Sequence, residues 1–108
     1  MGRRRSQQAV PSADALVIQR VQTGVRVEKR LLKVLKALAE YHDLSLGDLL
    51  EGIVLHAFEG RSPFEKESLT LIADLKRIYG LDLDAGASHR LIERRPGEPT
   101  GADEKSEA

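Results

Sequence analysis

Cysteine is absent from the 108 residues, which removes disulfides and thiolate metal sites from consideration. Its absence also fits a cytoplasmic protein. No apolar run reaches the roughly 18 residues that a membrane-spanning helix needs. Arg3, Arg4 and Arg5 make the start basic, but no apolar stretch follows them directly, so a secretory signal peptide is not expected. An internal repeat is missing too. So are a glycine-rich phosphate loop in its proper context and a Ser-His-Asp arrangement. His42, His56 and His89 are dispersed. His56 and Glu59 stand three apart on a predicted helix, as in carboxylate–histidine metal sites, but no second ligand pair accompanies them. The chain is therefore expected not to be an enzyme, and to need no cofactor and no metal.

An excess of one charge is also lacking, since 17 basic residues balance 17 acidic ones. The distribution is nevertheless uneven. Residues 1–30 hold seven Arg and Lys against Asp14 and Glu28, whereas residues 31–60 hold Lys33 and Lys36 against five acids. Residues 61–95 are nearly balanced, and the last thirteen set Lys105 against four acids. A basic first third points to a local anionic partner rather than to a generally basic protein.

Four regions follow from composition and periodicity. Residues 1–14 are polar and read as a disordered basic arm, and residues 96–108 as a disordered acidic tail. Between them lie a unit over 15–60 and a helical extension over 61–95. From Leu16 to Val27 the chain is rich in Val and Ile, which suits extended structure. Its end alternates, with Val21, Thr23, Val25 and Val27 on one face and Arg20, Gln22, Gly24 and Arg26 on the other. A hairpin turning near Thr23-Gly24 competes with a single strand, but its second arm would be only three residues long.

A first helix is predicted over Glu28 to His42, with Leu31, Leu35 and Leu38 at helical spacing. A second opens at Ser45, with Asp48 in a capping-box-like position, and Gly60 suits its C-terminal stop. A third is predicted to start at Ser62-Pro63 and to stop at Gly80, and a short fourth piece to run from Ala85 to Glu93. The expected class is thus mainly α with one N-terminal β-strand.

Residues 21–58 resemble the ribbon-helix-helix repressors of the MetJ, Arc and CopG type. The resemblance rests on strand alternation, on helix and turn lengths, and on an ordered pattern. That pattern is Leu31-Leu32, Leu35, Leu38-Ala39-Glu40, then Ser45-Leu46, Leu49-Leu50, Ile53-Val54 and Phe58. It implies a ribbon-helix-helix fold, an obligate dimer, with a C-terminal helical extension. It also implies that one strand from each subunit enters the major groove of DNA. Gln22, Gly24 and Arg26 would then contact bases, since Gln can bond adenine and Arg can fork onto guanine. Gly24 departs from the polar side chain that the family generally carries there, and offers close backbone approach instead. Ser45, Leu46 and Gly47 would meet phosphate at the start of the second helix. Arg3, Arg4 and Arg5 would add further phosphate contacts.

The size argument leads to a dimer independently. A unit of about forty residues buries too little surface to stand alone, and a single strand has no partner. Val25, Val27, Leu31, Leu35, Leu50, Val54 and Phe58 would form a shared core. The alternative is a core made within one chain by the third helix. The leading functional expectation is a sequence-specific DNA-binding transcriptional regulator of repressor type. Its partners would be double-stranded DNA and a second copy, and no membrane is expected. The runner-up is an antitoxin or other protein-binding module whose residues 61–108 could hold a basic partner protein. A dimerisation scaffold without DNA binding is the third.

Overall fold

The computed structural model describes residues 15–94. Three helices follow in order: α1 over Lys29–Tyr41, α2 over Leu46–Phe58 and α3 over Lys66–Tyr79, with a 3₁₀ turn at Ala85–Ala87. Each α-helix ends by the same device, in which the amide of a left-handed residue and that of the residue after it turn back onto the last turn. At the end of α1, Asp43 has φ 60°, and Leu44 donates to the Ala39 carbonyl at 2.9 Å. At the end of α2, Gly60 has φ 69°, and Arg61 donates to the His56 carbonyl at 2.9 Å. At the end of α3, Gly80 has φ 69°, and Leu81 donates to the Lys76 carbonyl at 2.8 Å. These six-to-one bonds satisfy carbonyls that would otherwise be left open. Glycine suits two of the three sites because it carries no Cβ to clash at positive φ.

The starts are less uniform. The Glu28 carboxylate accepts from the Leu31 amide at 2.8 Å, and the Ser45 hydroxyl accepts from the Asp48 amide at 3.1 Å. Glu65, before α3, makes no side-chain cap. The Ser62 hydroxyl is engaged instead in a local turn, accepting from the Phe64 amide at 3.3 Å. That turn delays α3 from the expected Ser62-Pro63 start to Lys66, and Phe64 packs against the core. The expected fourth helix shrinks to the 3₁₀ turn, and His89 at φ 67° breaks any continuation toward Glu93.

Leu38, Ala39 and Leu49 form the buried centre, with Leu35, Ile53, Phe64, Leu71, Ile72 and Leu75 packed against it. Val34 and Leu81 are also buried. The third helix thus supplies a core within one chain, as the alternative reading had it. Of the expected shared-core residues, only Leu35 packs onto this centre. Val25, Val27, Leu31, Leu50, Val54 and Phe58 are exposed.

The expected N-terminal strand and the ribbon-helix-helix architecture are not what the structure shows. Among the described residues there is no strand and no sheet. Residues 15–28 lie outside the helices, and residues 15–27 are exposed to solvent. The physical reason is pairing. Alternation places side chains on two faces, but a ladder needs a second backbone, and nothing among the described residues offers one. The Thr23-Gly24 hairpin does not form either. No helix is long and apolar enough to cross a membrane among the described residues.

Candidate nucleic-acid interface

The side chains expected to read bases lie on the exposed segment that leads into α1. Gln22 is exposed. Gly24 has nothing within 4 Å of where a Cβ would sit, so close packing within the chain does not require glycine there. Arg26 is exposed but not idle. Its Nε lies 3.1 and 3.0 Å from the two Glu93 carboxylate oxygens, and its Nη2 also bonds Glu93. This pairing holds the Glu93 carboxyl below its usual range, chiefly through the hydrogen bond itself.

Two further arginines tie down the segment and its exit. The Arg20 fork takes both oxygens of Glu51, at 2.8 and 2.7 Å, and reaches Asp48 at 3.3 Å. The bidentate bond lowers the Glu51 carboxyl and fastens the segment across the first turns of α2. Arg30 reaches the Gly80 carbonyl at 2.8 Å and Asp82 at 3.1 Å, while its Nε bonds Glu28 at 2.9 Å. Sequence reasoning left these contacts out because 28 to 67 residues separate most of the partners. Charge sign offered the only signal: Arg20 and Arg26 were assigned to the polar side of a strand without partners.

At the start of α2 the structure is less welcoming to anions than the capping pattern implied. Ser45 occupies the cap, in extended geometry, with Leu46 and Gly47 beginning the first turn. The helix dipole favours a negative group there. Asp48 and Glu51 already bring negative charge to that end, however, and among the described residues it is Arg20 that pairs with them. Only half of the capping box forms, since Asp48 turns its carboxylate to Arg20 rather than back to the cap.

The exposed cations continue onto α1, where Lys29, Lys33 and Lys36 face solvent. Lys33 also sits 6.0 Å from the centre of the Tyr79 ring. Arg3, Arg4 and Arg5 lie outside the described residues. Apolar surface accumulates elsewhere. Leu50, Val54, Leu55 and Phe58 expose the outer side of α2, with Phe58 at 80 %. Leu16, Val17, Ile18 and Val21 are also uncovered. A separate groove of about 380 Å³ lies between α1, α3 and the segment after α3, lined in part by Leu35, Ile72, Leu83 and Leu91.

Two of the histidines have polar neighbours, one of them local and one across the fold. The His56 Nδ1 is 2.7 Å from the Gly52 carbonyl, and the His42 Nε2 is 3.1 Å from the Ser68 hydroxyl. No group of three or more metal-ligating side chains gathers among the described residues. Comparisons with family models, curated proteins and solved structures find no match to the chain.

Proposed function

We propose that this chain is a DNA-binding regulator that acts on double-stranded DNA as a homodimer. The carrying observation is the exposed run of Gln22 and Arg26 immediately before a helix whose Lys29, Lys33 and Lys36 also face solvent. Glutamine and arginine are the side chains that match adenine and guanine edges in the major groove. Lysines beside them suit phosphate, which fixes register and supplies affinity without reading sequence. Arg3, Arg4 and Arg5 add cations next to this segment in the sequence. The Ser45 end of α2, with Leu46 and Gly47, is a weaker phosphate site because Asp48 and Glu51 oppose it.

The homodimer reading rests on the outer side of α2. Exposed Leu50, Val54 and Phe58 recur at a spacing of four, so they share one face. An uncovered apolar face of this kind marks an interface. Val54→Asp is expected to leave the three-helix core folded, because Val54 is 43 % exposed, and to abolish association. Sedimentation of wild type and variant tests this, and a wild type that stays monomeric at micromolar concentration removes the dimer.

The DNA reading is tested by retention of genomic fragments on the full chain, followed by titration of an enriched duplex at several salt concentrations. Affinity should fall steeply as salt rises, with a slope of about −0.9 per phosphate neutralised. Failure to retain any fragment at low salt rejects it. One observation favours a second reading, a protein-binding module of antitoxin type. The apolar groove of about 380 Å³ beside α3 could take side chains of a partner. A small protein that co-purifies with the chain and is lost when Leu91 is replaced by Asp would favour that reading.

A further inference from the structure

The segment after α3 turns back along α1 and ends against the exposed segment that precedes it. Two contacts hold it. Arg30 grips its beginning at Gly80 and Asp82, and Glu93 meets Arg26 near its end. Between them, residues 25–29, 31, 32 and 91–94 line a common groove of about 870 Å³. Glu93 bonds the Nε and Nη2 edge of the Arg26 guanidinium. That edge is one of the two-donor forks with which arginine binds a pair of acceptors, whether carboxylate oxygens, phosphate oxygens or the O6 and N7 of guanine.

We propose that residues 81–94 form an autoinhibitory cover, in which Glu93 occupies the Arg26 fork that DNA must take. This rests on the DNA-binding reading given above. DNA and Glu93 compete for one set of donors, so binding requires the end of the cover to leave. The Arg30 grip keeps the cover close after release and lets it return when DNA departs. Both members of the Arg26–Glu93 pair are more than half exposed. Such pairs are weak and are screened by salt, so the cover tunes affinity rather than abolishing it.

Wild type, Glu93→Gln, Asp74→Asn, Arg26→Ala and the Arg26→Ala/Glu93→Gln double variant should be titrated with a random-sequence DNA duplex at low salt, by fluorescence anisotropy. Glu93→Gln removes the competing charge and should tighten binding by about two- to five-fold. Asp74, which pairs with Arg77 on α3, controls for the general gain from losing any acid, and its variant should bind like wild type. The gain from Glu93→Gln should vanish in the Arg26→Ala background. Unchanged affinity in Glu93→Gln, an equal gain in Asp74→Asn, or a gain that persists without Arg26 overturns the cover. If neither wild type nor Glu93→Gln binds the duplex at all, the DNA reading itself falls and the cover falls with it.

Discussion

The three-helix region and the segment that leads into it contain the same kinds of apolar residue and treat them in opposite ways. Leu38 in α1 is 1 % exposed, whereas Val25, thirteen residues earlier, is 77 % exposed. The difference lies in what each backbone does with its own polar groups. A helix satisfies its amides and carbonyls internally, so its side chains need only another helix face to pack against. An extended segment pairs none of its backbone polar groups within itself and leaves them to a neighbour or to water, and its side chains stay uncovered until that neighbour arrives. Salt bridges from Arg20 and Arg26 hold the segment on the outside of the helices rather than within them.

The sharpest way to break this comparison is to truncate one apolar side chain in each region. Leu38→Ala should cost about 2–5 kcal/mol through lost burial and a cavity at the centre of the core. Val25→Ala should change the stability of the single chain by less than about 0.5 kcal/mol. Urea denaturation of both variants checks this. A large loss for Val25→Ala would show that something covers the segment in solution.

DNA binding should follow the opposite ranking. Arg26→Ala is expected to weaken binding to a preferred duplex by about five- to 150-fold and to relax preference at one base pair. Gln22→Ala should act in the same direction with a smaller effect, and Leu→Ala changes in the core should matter only through folding. Competition titrations against duplexes altered at single positions provide the measurement. Equal binding by wild type and the Gln22/Arg26 double variant contradicts the assignment of these side chains.

A smaller effect is expected at the start of α2, where Arg20 fastens the leading segment. Ser45→Ala removes the hydroxyl that accepts from the Asp48 amide and should cost about 1 kcal/mol. Ser45→Gly should cost only a few tenths, since glycine is tolerated at a cap. Thermal melts of the pair measure the capping, whereas a phosphate role for the hydroxyl would lower DNA affinity in both variants at temperatures where each is fully folded.

The smallest expected change is with acid. Glu51 and Glu93 titrate below the usual carboxylate range because arginine hydrogen bonds favour their charged forms. Whatever these pairs contribute is complete above the ordinary glutamate value of about 4.3. It is lost as pH falls through the lower folded values. The segment over residues 15–27 should therefore detach near the acid end while the helical core persists. Amide chemical shifts of Val21 and Val25 followed against Leu38 and Leu49 would record the order, and simultaneous loss of both sets would contradict it.

Much of the helical layout could be read in the residues. Leu31, Leu35 and Leu38 placed α1 within a residue of its ends, and Ser45 and Gly60 bracketed α2. These signals are local: apolar spacing, a hydroxyl at a cap and a glycine at positive φ act within one or two turns. The Val21–Val27 alternation was equally legible as a pattern, but alternation describes a strand's faces and not its neighbour. The Ser62 turn that delays α3 could not be separated from an N-cap, because the same hydroxyl serves either. Of the candidate interface, the residue types were visible. The acids facing Arg20 and Arg26 were not, since they come from distant parts of the chain.

The sequence alone therefore determined where α1 and α2 start and stop, where α3 stops, and which of their faces carry apolar residues. Those choices depend on neighbours a few residues apart, and backbone geometry carries them out without outside help. Tertiary structure decided which apolar face is buried, that α3 rather than a second strand completes the core, and that Glu93 rather than water meets Arg26. These depend on surfaces brought together across tens of residues, where a face that reads as core in one packing is left exposed in another.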